Sequence, residues 1–394
     1  MAAKFNANVH GCRGLFASLV FVHHVSHSSF GTTPLYGAAW DYPPIDYLLE
    51  SFQYGVELFF CISGYVISMS LVNATGAAAF VRDRVLRIMP VFLVIHFLLF
   101  AAGPLLTDKG FVRSGLGHYA WVFVANMMLL PGLFDLPLIQ PAAWSLSYEM
   151  AFYAIAAMTY FSLRNGRTPR SLVITLAVLG GIIMIDLYPR ALFFSLGVFA
   201  FLLDERLAAF RPRAPRLWTP LPYLIAFLLC WYMIDRLSGR PIEEVMVHQM
   251  AGDVRLPVLV AAYILAGLFF FSVLHDEGWF GGVLKSRPLQ YMGTISYSFY
   301  LWHSVIMYVT KRMIVHDLLP LTGAGWGKTL FFWLSLPVAL GVSHLSYRLV
   351  EQRLTRAIRR HVLRPRTASD AGGAASATIV VPSPQSALAR DEGR

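Results

Sequence analysis

Residues 11–30 read GCRGLFASLVFVHHVSHSSF, with Arg13 at the entry and His24 eleven residues on. On an α-helix, eleven steps of about 100° return His24 to within roughly 20° of the Arg13 face, about 16 Å further along the axis. A guanidinium and an imidazole are thus held in line along one apolar path. Three more ionisable groups sit inside apolar runs: Glu57, Glu149 and His303. Counted at about 1.5 Å per residue, all four share a depth of roughly 10–20 Å from one membrane face. A carboxylate beside an imidazole orients the ring and raises its basicity, which suits a general base. One buried histidine usually serves helix packing, whereas four groups from four runs at one depth point to a site. His23 and His27 flank His24 but point to other faces. No metal-ligand spacing occurs.

The elements that must hold these groups are set by composition. The 394 residues are 57% hydrophobic and 14% charged, with a mean hydropathy of +0.57. Soluble domains carry about a quarter charged residues, so the chain reads as an all-α, polytopic integral membrane helical bundle. The net charge of +10 does not indicate nucleic acid, because the basic residues cluster between apolar runs as cytoplasmic loops do. Cys12, Cys61 and Cys230 lack the spacing of a disulfide framework or zinc site. The first apolar run carries histidines and no cleavage signature follows it, so it reads as a retained span.

Apolar stretches fall at about 12–29, 48–72, 88–106, 118–134, 142–163, 171–188, 190–204, 219–237, 256–274, 291–312 and 328–348. Lys4 and Arg13, then Arg82, Arg84 and Arg87, then Arg164, Arg167 and Arg170 all mark the inner side. An even number of crossings must separate the last two clusters, which makes 118–134, interrupted by Asn126, re-entrant or interfacial. About ten transmembrane helices remain, with both termini cytoplasmic. Residues 1–365 form the transmembrane domain, and 366–394, rich in Ala, Ser, Gly, Pro and Thr, are expected to be a disordered cytoplasmic tail.

Five blocks carry more information: Arg13 and His24 at their spacing, YGVELFFCISGYVIS at 54–68, FVRDRVLRIMPVF at 80–92, AAWSLSYEMAFYAI at 142–155 and QYMGTISYSFYLWHSVI at 290–306. In this order they resemble the membrane-bound acyltransferase 3 family of bacterial sugar and lipid O-acyltransferases. The resemblance implies transfer of an acyl group, often acetyl, from cytoplasmic acyl-CoA to a hydroxyl of a saccharide or glycolipid. It implies that His24 is the essential histidine, with Arg13 as its paired arginine. It also assigns the R-x-x-R pair to Arg84 and Arg87, the W-S-L-S glutamate to Glu149, and the S-Y-x-x-Y-L-x-H block to Ser296, Tyr297, Tyr300 and His303. Two departures stand out: Glu149 is followed by Met150 where a carboxylate dyad is common, and the closing E-R-P reads Glu351, Gln352, Arg353.

The residue chemistry agrees with this reading. Arg84 and Arg87, at i and i+3 on one face, suit the phosphates of acyl-CoA at the cytoplasmic mouth, with Arg13 as a further contact. Transfer needs a base for the hydroxyl and a donor for the oxyanion. His24 is the expected base, with Glu57 or Glu149 orienting it. Arg13, Tyr297, Tyr300 and His303 are expected near the donor or oxyanion, and Trp144 is expected at the substrate. Ser63, Ser145 and Ser147 are possible nucleophiles but lack a G-x-S-x-G elbow and fit helix packing better. His248 and Asp253 spell H-x4-D without companion blocks. The expected partners are membrane lipids, acyl-CoA (acetyl-CoA foremost) as co-substrate, and a saccharide or glycolipid acceptor. No permanent cofactor and no metal are expected, and the compartment is the bacterial inner membrane. The competing reading is a proton-coupled transporter or flippase of a glycan or lipid precursor, since buried His and Glu also build proton relays.

Overall fold

The computed structural model describes residues 6–26, 29–30, 33–34, 48–105, 115–209, 219–238, 246–250, 252–314 and 327–362. In an apolar medium a helix satisfies its own backbone hydrogen bonds, and the apolar runs are helical. In chain order the helices are α1 (Ala7–Ser26), α2 (Gly55–Asn73), α3 (Ala77–Ala102), α4 (Leu116–Met127), α5 (Trp144–Asn165), α6 (Arg170–Leu187) and α7 (Phe193–Ala209). They continue as α8 (Pro220–Ser238), α9 (Arg255–Leu274), the short α10 (Trp279–Leu284), α11 (Arg287–Met313), α12 (Gly327–Ser346) and α13 (Thr355–Val362). A π-helical stretch, Tyr347–Leu354, precedes α13. Extended backbone among the described residues is one tiny hairpin, Ser29–Phe30 against Thr33–Pro34. Met1–Thr355 form one compact unit and Arg356–Arg394 a second. The expected tail 366–394 lies outside the described residues.

Among the described residues, five helical stretches are long and apolar enough to cross a membrane: Leu48–Asn73, Ala77–Ala102, Arg170–Leu187, Arg255–Leu274 and Leu330–His361. The chain is therefore a multi-span helical protein. Helices α1, α5 and α11, which carry His24, Glu149 and His303, are diluted by polar side chains such as Asn8, Ser145, Ser147, Gln290 and Thr294. The stretch expected to re-enter contains α4, which has 12 residues and rises only roughly 18 Å, short of a bilayer core. Asn126 then ties the following turns together. Its Nδ2 donates to the carbonyls of Val122 (2.9 Å) and Pro137 (2.8 Å), and its Oδ1 accepts from the Ile139 amide at 3.1 Å.

Two close crossings set the heights of the polar groups. A Cβ on Gly14 would lie 2.4 Å from the Leu289 carbonyl oxygen, and one on Gly293 would lie 2.2 Å from that of His10. So α1 and α11 meet backbone to backbone, as small residues allow. Helices α2 and α7 do the same, since a Cβ on Gly64 would stand 2.1 Å from the Phe194 oxygen and one on Gly197 2.0 Å from that of Cys61. Around the second crossing Phe60, Phe193, Phe194, Trp231, Phe269 and Phe270 form a buried aromatic core.

Candidate active site

Helices α1 and α11 run in the same direction, so residues equally far from their glycine contact arrive at the same level. His24 lies ten residues beyond Gly14, and His303 ten beyond Gly293. Their rings stack with centroids 5.2 Å apart and planes 24° from parallel. His303 is buried, and its Nδ1 lies 3.3 Å from the Phe299 carbonyl oxygen. With the ring proton directed to that carbonyl, Nε2 is an acceptor, and it has no hydrogen-bond partner among the described residues. His24 is exposed, opening into a cavity of about 590 Å³ that Gln53, Trp144, Tyr148, Arg190 and Tyr300 also line.

A second cavity, of about 100 Å³, lies on the arginine side and is lined by Arg13, Arg84, Arg87, Ser63, Glu149 and Tyr153 among others. Three arginines against one carboxylate leave an excess of two positive charges, an environment suited to a polyanion. Glu149 accepts from Ser63 Oγ at 2.5 Å and from the Tyr153 hydroxyl one turn along α5. Arg84 Nη2 donates to Ser70 Oγ at 2.9 Å, while Arg87 is exposed. Tyr297 donates its hydroxyl to the Ile88 carbonyl at 2.6 Å, which ties α11 to α3 beside Arg87. Val56 and Tyr300 line both cavities. The Tyr300 hydroxyl is 2.9 Å from Ser145 Oγ, and its ring centroid is 5.7 Å from that of His303.

A family model described as an acyltransferase domain (Acyl_transf_3) matches residues 6–348. The chain belongs to this acyltransferase family. It is 26% identical over 337 residues to the putative peptidoglycan O-acetyltransferase YrhL of Bacillus subtilis (strain 168), covering 76% of this chain and 50% of that protein. It is similar to nodulation protein 10 of Rhizobium leguminosarum bv. viciae, with 24% identity over 329 residues, 76% of this chain and 81% of the relative. It is also 26% identical over 337 residues to the exopolysaccharide production protein ExoZ of Rhizobium meliloti (strain 1021), covering 82% of this chain and 94% of ExoZ. The chain thus spans half of the first relative and most of the other two. No solved structure matches it.

Within the acyltransferase fold the sequence-derived residues separate into two groups. His24, Trp144, Tyr300 and His303 line the larger cavity, while Arg13, Arg84, Arg87, Glu149, Tyr297 and Tyr300 line the smaller. Glu57, expected near the imidazole, is fully buried and accepts a hydrogen bond from Arg190 Nε. Glu149 is engaged by Ser63 and Tyr153 in the arginine-lined cavity. His248 and Asp253 take different partners: His248 Nδ1 lies 2.8 Å from Asp186, and Asp253 accepts from Arg255 Nη2 at 2.6 Å.

Arg190 escaped the sequence reading. It sits in the 3₁₀ turn Pro189–Leu192 before α7, is only 4% exposed, and lies 4.4 Å over the Trp144 ring. The available signal was an arginine wedged between apolar stretches at the helix ends away from the basic clusters. Tyr153 was also missed, and it is found only by its i, i+4 spacing from Glu149.

Proposed function

We propose that this acyltransferase is an inner-membrane enzyme with about ten crossings and both termini cytoplasmic. In this reading it moves an acetyl group from acyl-CoA to a hydroxyl of a saccharide or glycolipid. The arginine-lined cavity receives the phosphates of acyl-CoA, and the larger cavity receives the acceptor from the opposite side. The observation that carries this reading is that Val56 and Tyr300 wall both cavities, so a thioester entering from one side meets an acceptor held beside His24. His24 takes the proton of the acceptor hydroxyl as its oxygen attacks the thioester carbonyl. The tetrahedral oxyanion collapses, the C–S bond breaks, and the thiolate takes the proton back from the imidazolium. Names of relatives that refer to O-acetyltransferase and exopolysaccharide production support a polysaccharide acceptor for this chain. The test is acceptor-dependent release of free thiol from acetyl-CoA by the full-length protein in detergent, with the acetylated saccharide identified by mass. A protein that moves glycans without consuming acetyl-CoA is a transporter, and that result would overturn the proposal.

A further inference from the structure

Accepting the acyl transfer proposed above, the developing negative charge on the thioester oxygen needs a donor that is in place before reaction. Several candidates are committed or placed elsewhere. Tyr297 gives its hydroxyl to the Ile88 carbonyl, and Arg13 lines the smaller, arginine-side cavity. Among the described residues lining the His24 cavity, Arg190 alone is a lysine or arginine.

Arg190 is held on three sides. Its Nε donates to Glu57, which is 0% exposed. Its guanidinium lies 4.4 Å over Trp144 and 5.6 Å over Tyr54. The backbone explains the pairing: Glu57 precedes Gly64 by seven residues and Arg190 precedes Gly197 by seven, so both stand toward the same end of the parallel α2–α7 crossing. A guanidinium presents its five donors in a fixed planar fork. Clamped by a carboxylate and an aromatic face, it pays little reorganisation when charge appears in front of it.

We propose that Arg190 is the oxyanion-stabilising cation of the transfer reaction, preorganised by Glu57 and Trp144. As the acceptor oxygen bonds to the thioester carbon, the carbonyl π pair moves to oxygen and is met by the guanidinium. When the C–S bond breaks, that pair returns to re-form the carbonyl of the new ester, and the sulfur leaves as thiolate to be protonated by His24. Arg190 stays protonated throughout and exchanges no proton.

The experiment uses the full-length protein in detergent and reads thiol release from acetyl-CoA with a saccharide acceptor. Wild type, Arg190→Ala and Arg190→Lys are compared, each checked by thermal unfolding. Arg190→Ala is expected to lose about 10²–10³ in kcat, the loss typical of a deleted oxyanion donor, with KM for acetyl-CoA within about threefold of wild type. Added guanidine should restore part of that rate saturably, and urea should not. Arg190→Lys, which keeps the charge and loses the fork, should fall between. An Arg190→Ala protein that retains kcat within threefold overturns the assignment. So does a folded, slow Arg190→Ala that guanidine cannot rescue while Arg190→Lys is equally slow. If Arg190→Ala does not fold, a folded Arg190→Lys with wild-type kcat and raised KM overturns it, and a folded Arg190→Lys with lowered kcat and unchanged KM supports it. A wild-type protein with no acceptor-dependent thiol release removes the transfer reading itself, a result distinct from either.

Discussion

The imidazole of His24 stacks on that of His303, and each lies ten residues beyond a glycine at which their parallel helices touch. Ten residues of helix rise about 15 Å. The stack is therefore a consequence of a backbone contact far below it, where Gly14 and Gly293 leave no room for a side chain. The histidine pair and the Glu57–Arg190 pair follow the same rule, each set by a glycine crossing that fixes the relative height of two helices.

Enlarging Gly14 should disconnect the site from its support. The new methyl of Gly14→Ala would sit 2.4 Å from the Leu289 oxygen and 2.8 Å from the Gly293 amide nitrogen, both backbone atoms that cannot rotate away. Helix α1 must shift, and a displacement near 1 Å at a reacting group costs on the order of 100-fold in rate. Gly180→Ala, with open space around its Cβ, serves as the control and should keep full activity. Rates of thiol release for the two variants check this.

Arg84→Ala and Arg87→Ala should each raise KM for acyl-CoA by about tenfold or more, the cost of a charge-assisted hydrogen bond, and leave kcat near wild type. Added salt should raise the wild-type KM in the same direction and affect the variants less. Initial-rate kinetics at two ionic strengths separate these effects.

Glu57→Ala should be costly to folding, because it leaves the Arg190 guanidinium buried without its carboxylate. Removing one partner of a buried pair typically costs about 3–5 kcal/mol. The double variant Glu57→Ala, Arg190→Met removes the orphaned charge and should recover much of the thermal stability in detergent while remaining inactive. A double variant no more stable than Glu57→Ala would show that the pair does not carry that stability.

The proposed topology of about ten crossings with cytoplasmic termini puts Thr75 on the cytoplasmic side and Val254 outside. Both are exposed. In intact cells an impermeant thiol reagent should label Val254→Cys, and Thr75→Cys only after permeabilisation. Labelling of both from the same side contradicts the topology.

The sequence already showed the helical class, since dilution of charge and long apolar runs are properties of composition and need no tertiary information. It also showed His24 and His303 at a shared depth, because both depend on counting residues along a helix. What it could not show is azimuth. Counting gives Glu57 and Glu149 a position along their helices, but which neighbour each faces depends on how α2 and α5 rotate against α7 and against one another. The structure therefore gives Glu57 an arginine and Glu149 a serine and a tyrosine. Arg190 was hidden for a related reason: a single charge beside a proline between two apolar runs resembles a loop residue until the Gly64–Gly197 crossing brings Glu57 to it.

The most direct test compares wild type with His24→Ala, purified at full length and matched for thermal unfolding, in acceptor-dependent thiol release from acetyl-CoA. The account predicts steady release in the wild type and a loss of about 10²–10⁴ in rate for the variant, the range of a deleted general base. A His24→Ala protein that acetylates the saccharide at the wild-type rate would contradict it.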